Sequence, residues 1–291
     1  YYHVDMNGGP WNDRWINTTT IPKLREQFNL AYQSGIDDLW VVNVGDLKPK
    51  ELPIDFIMRY AWNPDAIQAD ETDDYLRQWA QQNFGEAHAE AISGLVARYS
   101  KYNLWRKPEV QSTNIFSVVN HCEADRVTDL WRTLAHEADS VGQLMPQAYK
   151  DAYYQLVLYP VKASAGVAEI YLAAAKNRLY ARQGRVTAND YARRVEELYT
   201  VDTVMTAYYN KVLAGGKWEK MMSDIHLGYT KWSMPKRDSV PQVVRVEPLS
   251  KPTMGVAVEG CETLSPEGEL ELPVFDNFEN RKYYIDIFNR G

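Results

Sequence analysis

Three long helical segments follow one another in the second half of the chain, and they limit what it can fold into. The sequence predicts helices over roughly 122–140, 146–183 and 188–214. Only a few residues separate these segments, and short connections make long helices antiparallel neighbours. The sequence therefore predicts a helical bundle, with the remaining chain arranged before and after it.

Proline and glycine mark the ends of these helices. Gly142 is expected to close the first, Pro146 to open the second and Gly184 to close it, and the Gly215-Gly216 pair to close the third. Pro160 lies inside the second segment, where a proline removes a helical hydrogen bond. We therefore expect a kink or a split at that point.

Residues 1–44 predict one strand–helix–strand unit. Residues 1–6 and the apolar run 39–44 are typical of strands, and a helix is expected between Pro22 and Gly35. Such a unit pairs its strands in parallel through a right-handed crossover. The run 39–44 lacks strict alternation, which favours a strand buried on both faces. The sequence therefore predicts a parallel α/β fold for this part of the chain.

The other stretches predict shorter elements. Residues 114–119 form either a short strand or an extended linker, and helices are expected in a stretch ending near Trp62, over about 73–84 and over about 86–102. After Pro235, several β-type runs are separated by Pro, Gly, Ser and Asn, which indicates the opening of an all-β module. These runs are 243–246, 255–258, 272–275 and 283–288.

Composition excludes several classes of protein. The net charge of −7 argues against nucleic acid and anionic membrane surfaces, because both require a basic patch. No uninterrupted apolar run approaches the ~20 residues of a membrane helix, so no membrane span is expected. Cys122 and Cys261 are too few for a disulfide framework or a metal site. The chain does not begin with methionine and shows no signal peptide, so we expect an internal piece of a longer protein.

Polar side chains follow the two predicted strands where each one ends. Alternation places Tyr1, His3 and Asp5 on one face of the first strand, and Asn43 is the last and only polar member of its face of the second. The carboxyl ends of parallel strands meet at one edge, so we expect these side chains to converge there. A protonated histidine at such an edge can donate to a substrate anion. The alternative is that His3 is a satisfied strand-end histidine and that Asn43 caps the next turn.

The loop after the second predicted strand carries Asp46, Lys48 and Glu51. These charges either line the same edge or form solvated surface ion pairs that contribute little. Other chemistries lack their motifs: no His and Cys pair has zinc spacing, Gly8-Gly9 lacks a phosphate-loop pattern, and no G-x-S-x-G elbow occurs. The stretch 135–137 lacks the second histidine of a metalloprotease helix. We therefore expect neither a metal nor a cofactor.

Several stretches carry a resemblance to a known family, in order along essentially the whole chain. They are Tyr1–Asp5, Trp40–Pro49, Leu156–Ser164, Gly215–Met222, Gly228–Trp232, Gly255–Gly260 and Phe288–Gly291. Together they closely resemble glycoside hydrolase family 115, the xylan α-glucuronidases. The resemblance implies an α/β plus all-α fold class. Residues 1–119 would be the last strands and helices of a TIM-type (β/α) barrel, 120–236 a helical bundle, and 237–291 the beginning of a β-sandwich domain.

The same resemblance implies an activity and a substrate. Enzymes of the family release 4-O-methylglucuronic acid from the α-(1→2) branches of glucuronoxylan or its oligosaccharides, with inversion at the anomeric carbon. The resemblance also implies a periplasmic or extracellular location and no cofactor. By position, Tyr1, His3 and Asn43 match residues that line the uronate pocket, and Lys48 is a further substrate-binding candidate.

The catalytic set that the resemblance implies is incomplete in this chain. The carboxylate usually proposed as general acid lies before Tyr1. His3, Asp5 and Asp46 are the catalytic candidates that remain, and the two carboxylates would supply electrostatic support. An inverting site needs an acid and a separate base about 6.5–9.5 Å apart, so no complete dyad is assigned.

A second hypothesis belongs to another class of protein. Residues 120–235 would form an interaction or dimerisation module with a carbohydrate-binding or structural β appendage. The expected assembly in this case is a homodimer. A helical face with Trp218, Met221 and Met222 is consistent with a partner surface, although such residues are more often core. Dimerisation of the bundle without uronate binding would favour this alternative.

Overall fold

The computed structural model describes residues 1–8, 12–278 and 280–291, and the chain is mostly helical, at 53%. Gly9 of the Gly8-Gly9 pair lies outside the described residues. The helices are α1 (Ile21–Gln33), α2 (Glu51–Trp62), α3 (Thr72–Phe84), α4 (Ala89–Trp105), α5 (Glu123–Leu144), α6 (Gln147–Tyr153), α7 (Tyr159–Arg182) and α8 (Ala188–Lys211). The strands are β1 (Tyr2–His3), β2 (Met6–Asn7), β3 (Asn12–Asp13), β4 (Val42–Asn43), β5 (Met254–Val258) and β6 (Ile285–Asn289).

The predicted strand–helix–strand unit is confirmed. Strands β1 and β4 pair in parallel, with Tyr2 opposite Val42 and His3 opposite Asn43. Helix α1 connects them, and its buried face includes Leu24 and Phe28, one turn apart. This register places the ends of the two strands side by side, as the site prediction required.

The prediction that the run 39–44 is buried on both faces is wrong. Leu39 is 75% exposed and Val41 is 51% exposed, and only Val42 and Asn43 form the strand. Among the described residues, β1 and β4 form a two-stranded sheet, so the chain covers one face and leaves the other open. The covered face packs on aromatic rings, with Phe28 5.0 Å from both Tyr2 and Trp40 between ring centroids.

Helices α2, α3 and α4 pack through aromatic side chains. Tyr75 and Trp79 lie one turn apart on α3 and are both buried. The Tyr75 ring meets Phe56 edge to face at 5.1 Å, and its hydroxyl donates to Asp55 Oδ2 at 2.7 Å. Burial raises the pKa of the Tyr75 hydroxyl, and the bond to Asp55 raises it further. A buried tyrosine that keeps its proton and has a partner stabilises this packing.

The prediction that Gly142 closes a helix is wrong, because α5 continues through it to Leu144. A Cβ atom at position 142 would lie 3.0 Å from the Tyr153 ring. The Tyr153 hydroxyl donates to the Ala138 carbonyl at 2.7 Å, which fixes the ring against the helix. Glycine therefore serves close packing between α5 and α6 at this position and does not end the helix.

The predicted interruption near Pro160 is confirmed. Residues 154–158 form a π-helical turn between α6 and α7, immediately before the proline region. The whole run Gln147–Arg182 is long and apolar enough to cross a membrane by length and composition, and 78% of its most apolar window is buried inside the protein. Burial of this kind is ordinary for a core helix. The expectation of no membrane span therefore stays a prediction.

The end of the chain contains one β-hairpin. Strands β5 and β6 pair antiparallel, and they correspond to the predicted runs at 255–258 and 283–288. The predicted runs at 243–246 and 272–275 do not form strands, and residues 114–119 form turns instead of a strand.

The backbone of 243–246 is extended but bonds to side chains. Asn177 and Asn189 each accept from one backbone N–H of this run at 2.8 Å and donate to the carbonyl of the same residue, Val244 or Val246. Because these two side chains satisfy the backbone groups, the run needs no partner strand.

The described chain groups into two compact units. Unit 1 contains residues 1–111, 132–167 and 202–239, and unit 2 contains residues 112–131, 168–201 and 240–291. The three-part division into barrel, bundle and β domain stays a prediction. The candidate catalytic and uronate-binding residues from the sequence all lie in unit 1.

Candidate active site at the ends of β1 and β4

His3 and Asn43 lie side by side at the end of the parallel pair. The distance between His3 Nδ1 and Asn43 Nδ2 is 3.1 Å, and both nitrogens lie 3.2 Å from the Asp5 carbonyl oxygen. The imidazole is exposed, and the Tyr1 ring contacts it edge to face at 4.7 Å. When Nδ1 accepts from the Asn43 amide, the ring proton is on Nε2, which then serves as a donor to a ligand.

Asn43 also fixes the turn that follows β4. Its Oδ1 accepts from the Gly45 N–H at 3.1 Å, so the alternative turn-capping role is present together with the contact to His3. Gly45 has a φ of +65°, and a Cβ there would lie 2.5 Å from Asp5 Cγ. Only glycine allows this turn to approach the Asp5 side chain so closely.

Asp5 is buried beneath that turn, at 3% exposure. The side chain therefore supports the strand ends from below, in keeping with the electrostatic role expected for it. Its catalytic role stays a prediction, as do the roles of His3 and Asp46.

Lys48 is not a solvated loop charge. Its Nζ lies 2.5 Å from Glu51 Oε1 and 3.9 Å from the centroid of the Trp218 ring. Glu51 Oε1 also accepts from Gln155 Nε2 at 2.6 Å. Lys48 is thus paired with Glu51 at the start of α2, which is bonded to Gln155, and Lys48 also contacts the stretch that contains Trp218.

Asp224 is a further candidate residue, for which the sequence offered no signal. Burial raises the pKa of the Asp224 carboxyl, nearby Asp46 raises it further, and Arg14 and His226 act in the opposite direction. In the described part of the chain, the carboxylates of Asp46 and Asp224 have no hydrogen bond or ion pair. Two unpaired carboxylates in one electrostatic neighbourhood, with one pKa raised, are typical of acid–base sites.

A buried pair holds the segment that carries Asp224. His226 Nδ1 lies 2.9 and 3.0 Å from the two Asp202 carboxylate oxygens, and both residues are buried. The His226 ring stacks on Trp15 with centroids 3.8 Å apart. Asp238 Oδ1 accepts from the backbone N–H groups of His226 and Leu227 at 2.9 Å. The sequence offered no signal for this pair, because its members come from α8 and from a loop without secondary structure.

The surface suggested for a partner is mostly covered. Met222 is buried and Trp218 lies against Lys48, which leaves Met221 as the exposed member of that group. The dimerisation alternative therefore lacks a contiguous apolar face at these residues, and it stays a prediction. Within the described ranges, no group of three or more His, Cys, Asp or Glu side chains is arranged to hold a metal ion.

Comparison with known proteins agrees with the resemblance at the start of the chain. Residues 1–110 match the family model described as Glycosyl hydrolase family 115. The resemblance to family 115 is confirmed over these residues. The matched segment contains every site residue predicted from the sequence, from Tyr1 to Lys48.

A solved structure supports a shared fold over a longer stretch. It is a family 115 4-O-methyl-alpha-glucuronidase with specificity for decorated arabinogalactans, with a TM-score of 0.69 and 23% sequence identity. The match covers 87% of this chain and 34% of that one, so the chain spans about a third of that structure's length. No curated protein matches the chain.

Proposed function

We propose that the protein containing this chain is an α-glucuronidase of family 115. The substrate class is a uronate-bearing plant polysaccharide, and the reaction releases glucuronic acid or its 4-O-methyl derivative by hydrolysis. The observation that carries the proposal is the His3–Asn43 contact, which lies within the segment that matches the family. Glucuronoxylan with α-(1→2) branches is the expected substrate, and decorated arabinogalactan is the alternative that the similar structure suggests.

Neutral and cationic donors at the strand ends are suited to bind the uronate carboxylate. The His3 ring is exposed, Tyr1 lies beside it, and Asn43 supplies an amide in contact with it. Charge-assisted hydrogen bonds from such donors are roughly twice as strong as neutral ones. Lys48 is held in a fixed position by Glu51 and Trp218, and Glu51 compensates its charge in the absence of substrate.

The carboxylates near this edge are suited to bind and release protons. Because its pKa is raised, Asp224 holds a proton to higher pH than an ordinary aspartate, while Asp46 lies exposed in the turn. Asp224 repels a bound uronate anion only when it is ionised, and its raised pKa moves that ionisation to higher pH. We propose an inverting mechanism in which the general acid lies outside this chain and Asp46 and Asp224 adjust the charge around the sugar.

The remaining parts of the proposal concern architecture and location. We infer that β1, α1 and β4 belong to the last part of a TIM-type barrel, and that the β5–β6 hairpin begins a β-sandwich domain. The parallel β1–β4 pairing and the fold shared with the similar structure support this. A periplasmic or extracellular location follows from the polysaccharide substrate.

Replacement of His3 tests the site directly. In the full-length protein, His3→Ala is expected to lower kcat/KM on glucuronoxylan at least tenfold, which is roughly 1.4 kcal/mol of barrier. His136→Ala is the matched control, because His136 is exposed on α5 and its side chain contacts no site residue. Equal activity of the His3 variant and the wild type would remove His3 from the site.

Product analysis tests the reaction itself. Proton NMR of the first product is expected to show the β-anomer of the released uronic acid. Parallel assays on glucuronoxylan and decorated arabinogalactan identify the substrate class. A wild-type protein that releases no uronic acid from either polymer contradicts the proposed function. The chain of 291 residues is by itself expected to be inactive, because the proposed mechanism places the general acid outside it.

A further inference from the structure

Unit 2 contains an open cavity of about 630 Å³ that the proposed reaction does not use. It lies between the start of α5 and the chain that leads into β6. Its walls include Arg126, Arg281, Lys282, Tyr283 and Glu259. The volume falls in the range of known small-molecule sites, which is about 300–1,000 Å³.

Specific hydrogen bonds between distant stretches build the wall of this cavity. The His121 N–H donates to Glu259 Oε1 at 2.8 Å, and the Gly260 N–H donates to the Val119 carbonyl at 2.7 Å. The Tyr284 hydroxyl donates to the same carbonyl at 3.2 Å. The turn before α5 is thus fixed against the end of β5 and the start of β6.

In the part of the chain that the structure describes, two cationic side chains in the cavity wall lack partners, whereas the carboxylates there accept hydrogen bonds. Within the described residues, the side chains of Arg126 and Lys282 make no hydrogen bond or ion pair, and both residues are exposed. The two carboxylates in the wall already accept backbone N–H groups: Glu259 from His121 at 2.8 Å and Glu123 from Ser117 at 2.6 Å. In a chain with a net charge of −7, this cavity is a local site of available positive charge.

An aromatic ring lies beside these cations. Tyr283 is half-buried, and Phe275 meets its ring edge to face at 4.9 Å. A tyrosine held in this way offers an apolar face and a polar tip, the combination that packs against a polar ring-shaped ligand. An arginine near it can bind a carboxylate through two parallel hydrogen bonds.

We propose that this cavity binds an acidic saccharide, with Arg126 and Lys282 contacting its carboxylate and Tyr283 packing against the sugar ring. Binding here needs no catalysis, so the proposal stands independently of the hydrolytic activity. The site would hold a uronate-bearing chain on the protein through contacts that a neutral sugar lacks.

Cys122 provides a reporter inside the cavity. It is exposed and lines both this cavity and a second one, whereas Cys261 lines only the second. A ligand in the second cavity would therefore affect both cysteines, and a ligand in this cavity only Cys122. Burial and the nearby carboxylates of Glu259 and Asp125 raise the pKa of the Cys122 thiol, so alkylation is measured at mildly alkaline pH. Iodoacetamide labelling of the full-length protein, read by peptide mass spectrometry, follows both cysteines in one sample.

An oligomer of glucuronic acid is expected to slow the labelling of Cys122 at least threefold and to leave the rate at Cys261 unchanged. A neutral glucose oligomer of equal length is expected to protect neither cysteine. The double variant Arg126→Gln/Lys282→Gln is expected to lose the protection. The control double variant Arg193→Gln/Lys251→Gln makes the same charge change at exposed positions outside the cavity wall. This control is expected to retain the protection of Cys122.

Three results would overturn the proposal. They are no protection of Cys122 in the wild type, equal protection by the neutral oligomer, and full protection in the double variant. The wild-type comparison of the two oligomers needs no variant, so the proposal remains testable even if a substitution affects folding. His3→Ala is expected to keep the protection, which separates this site from the one at β1 and β4.

Discussion

Two parts of unit 1 differ in whether their carboxylates have hydrogen-bond partners. The first is the dry cluster, formed by the buried residues Asp202, His226 and Trp15 together with the half-buried Asp238, in which each carboxylate is hydrogen-bonded. The second is the open edge, formed by His3, Asn43, Asp46 and Asp224, where both aspartates lack a hydrogen bond or ion pair among the described residues.

The comparison shows that residues close together in the sequence can have very different environments. Asp224 and His226 are two positions apart, yet one is unpaired and the other is buried against Asp202 and Trp15. The hydrogen bonds between Asp202 and His226 Nδ1 hold the backbone beside Asp224 in place. Rigid support of this kind is what a functional carboxylate requires. Groups with perturbed pKa values at an open edge are typical of functional sites.

The largest expected effect is the loss of the dry cluster. Trp15→Ala is expected to lower the free energy of unfolding by about 3–5 kcal/mol, because it removes a fully buried ring and its stack on His226. Trp62→Ala is the control, since Trp62 is 91% exposed and should change stability by less than about 0.5 kcal/mol. Denaturant unfolding measures both, and equal effects of the two variants would mean that the cluster does not stabilise the fold.

An intermediate effect is expected at the turn of the open edge. Gly45→Ala is expected to cost at least about 1–2 kcal/mol, because position 45 has a positive φ and the new Cβ meets Asp5. Gly94→Ala, inside α4 with open space around the Cβ position, is expected to stabilise by about 0.5–1 kcal/mol. Thermal unfolding compares the two, and a stabilised Gly45 variant would contradict the close packing of Asp5 against this turn.

The smallest expected change in stability is at Asp224, and its sign depends on pH. The pKa of Asp224 is raised in the folded state, so the native protein binds its proton more tightly than the unfolded chain does. Stability from this group is complete below the unfolded value of 3.8 and is lost as pH rises through the folded value. Asp224→Asn is therefore expected to raise Tm slightly at neutral pH and to leave it unchanged under acid conditions.

The pH dependence of KM distinguishes a functional role of Asp224 from a purely structural one. Asp224→Asn is expected to weaken the rise in KM for the uronate substrate as pH increases through the folded-state pKa of Asp224, because a neutral amide does not repel the sugar. Asp238→Asn, in the dry cluster, changes a carboxylate that the backbone already satisfies, and it is expected to preserve the wild-type pH profile of KM. An unchanged pH profile in the Asp224 variant would place that residue outside the site.

Much of the local structure could be predicted from the sequence. The helix ends at Gly35 and Gly184 follow from short-range rules. The parallel pairing of β1 with β4, which brings His3 next to Asn43, follows from the strand–helix–strand pattern and the period of two in a strand. Both can be recognised without knowing how the rest of the chain packs.

Only the tertiary structure decided the rest, because it depends on which distant residues come together. Gly142 continues a helix because Tyr153 needs the space, and the run at 243–246 forms no strand because two asparagines satisfy its backbone. Burial raises the pKa of Asp224 and Asp46 raises it further, although these two aspartates are far apart in sequence. Burial and charge at such positions depend on how the whole chain packs. The pairing of β1 with β4, in contrast, can be recognised from the sequence pattern alone.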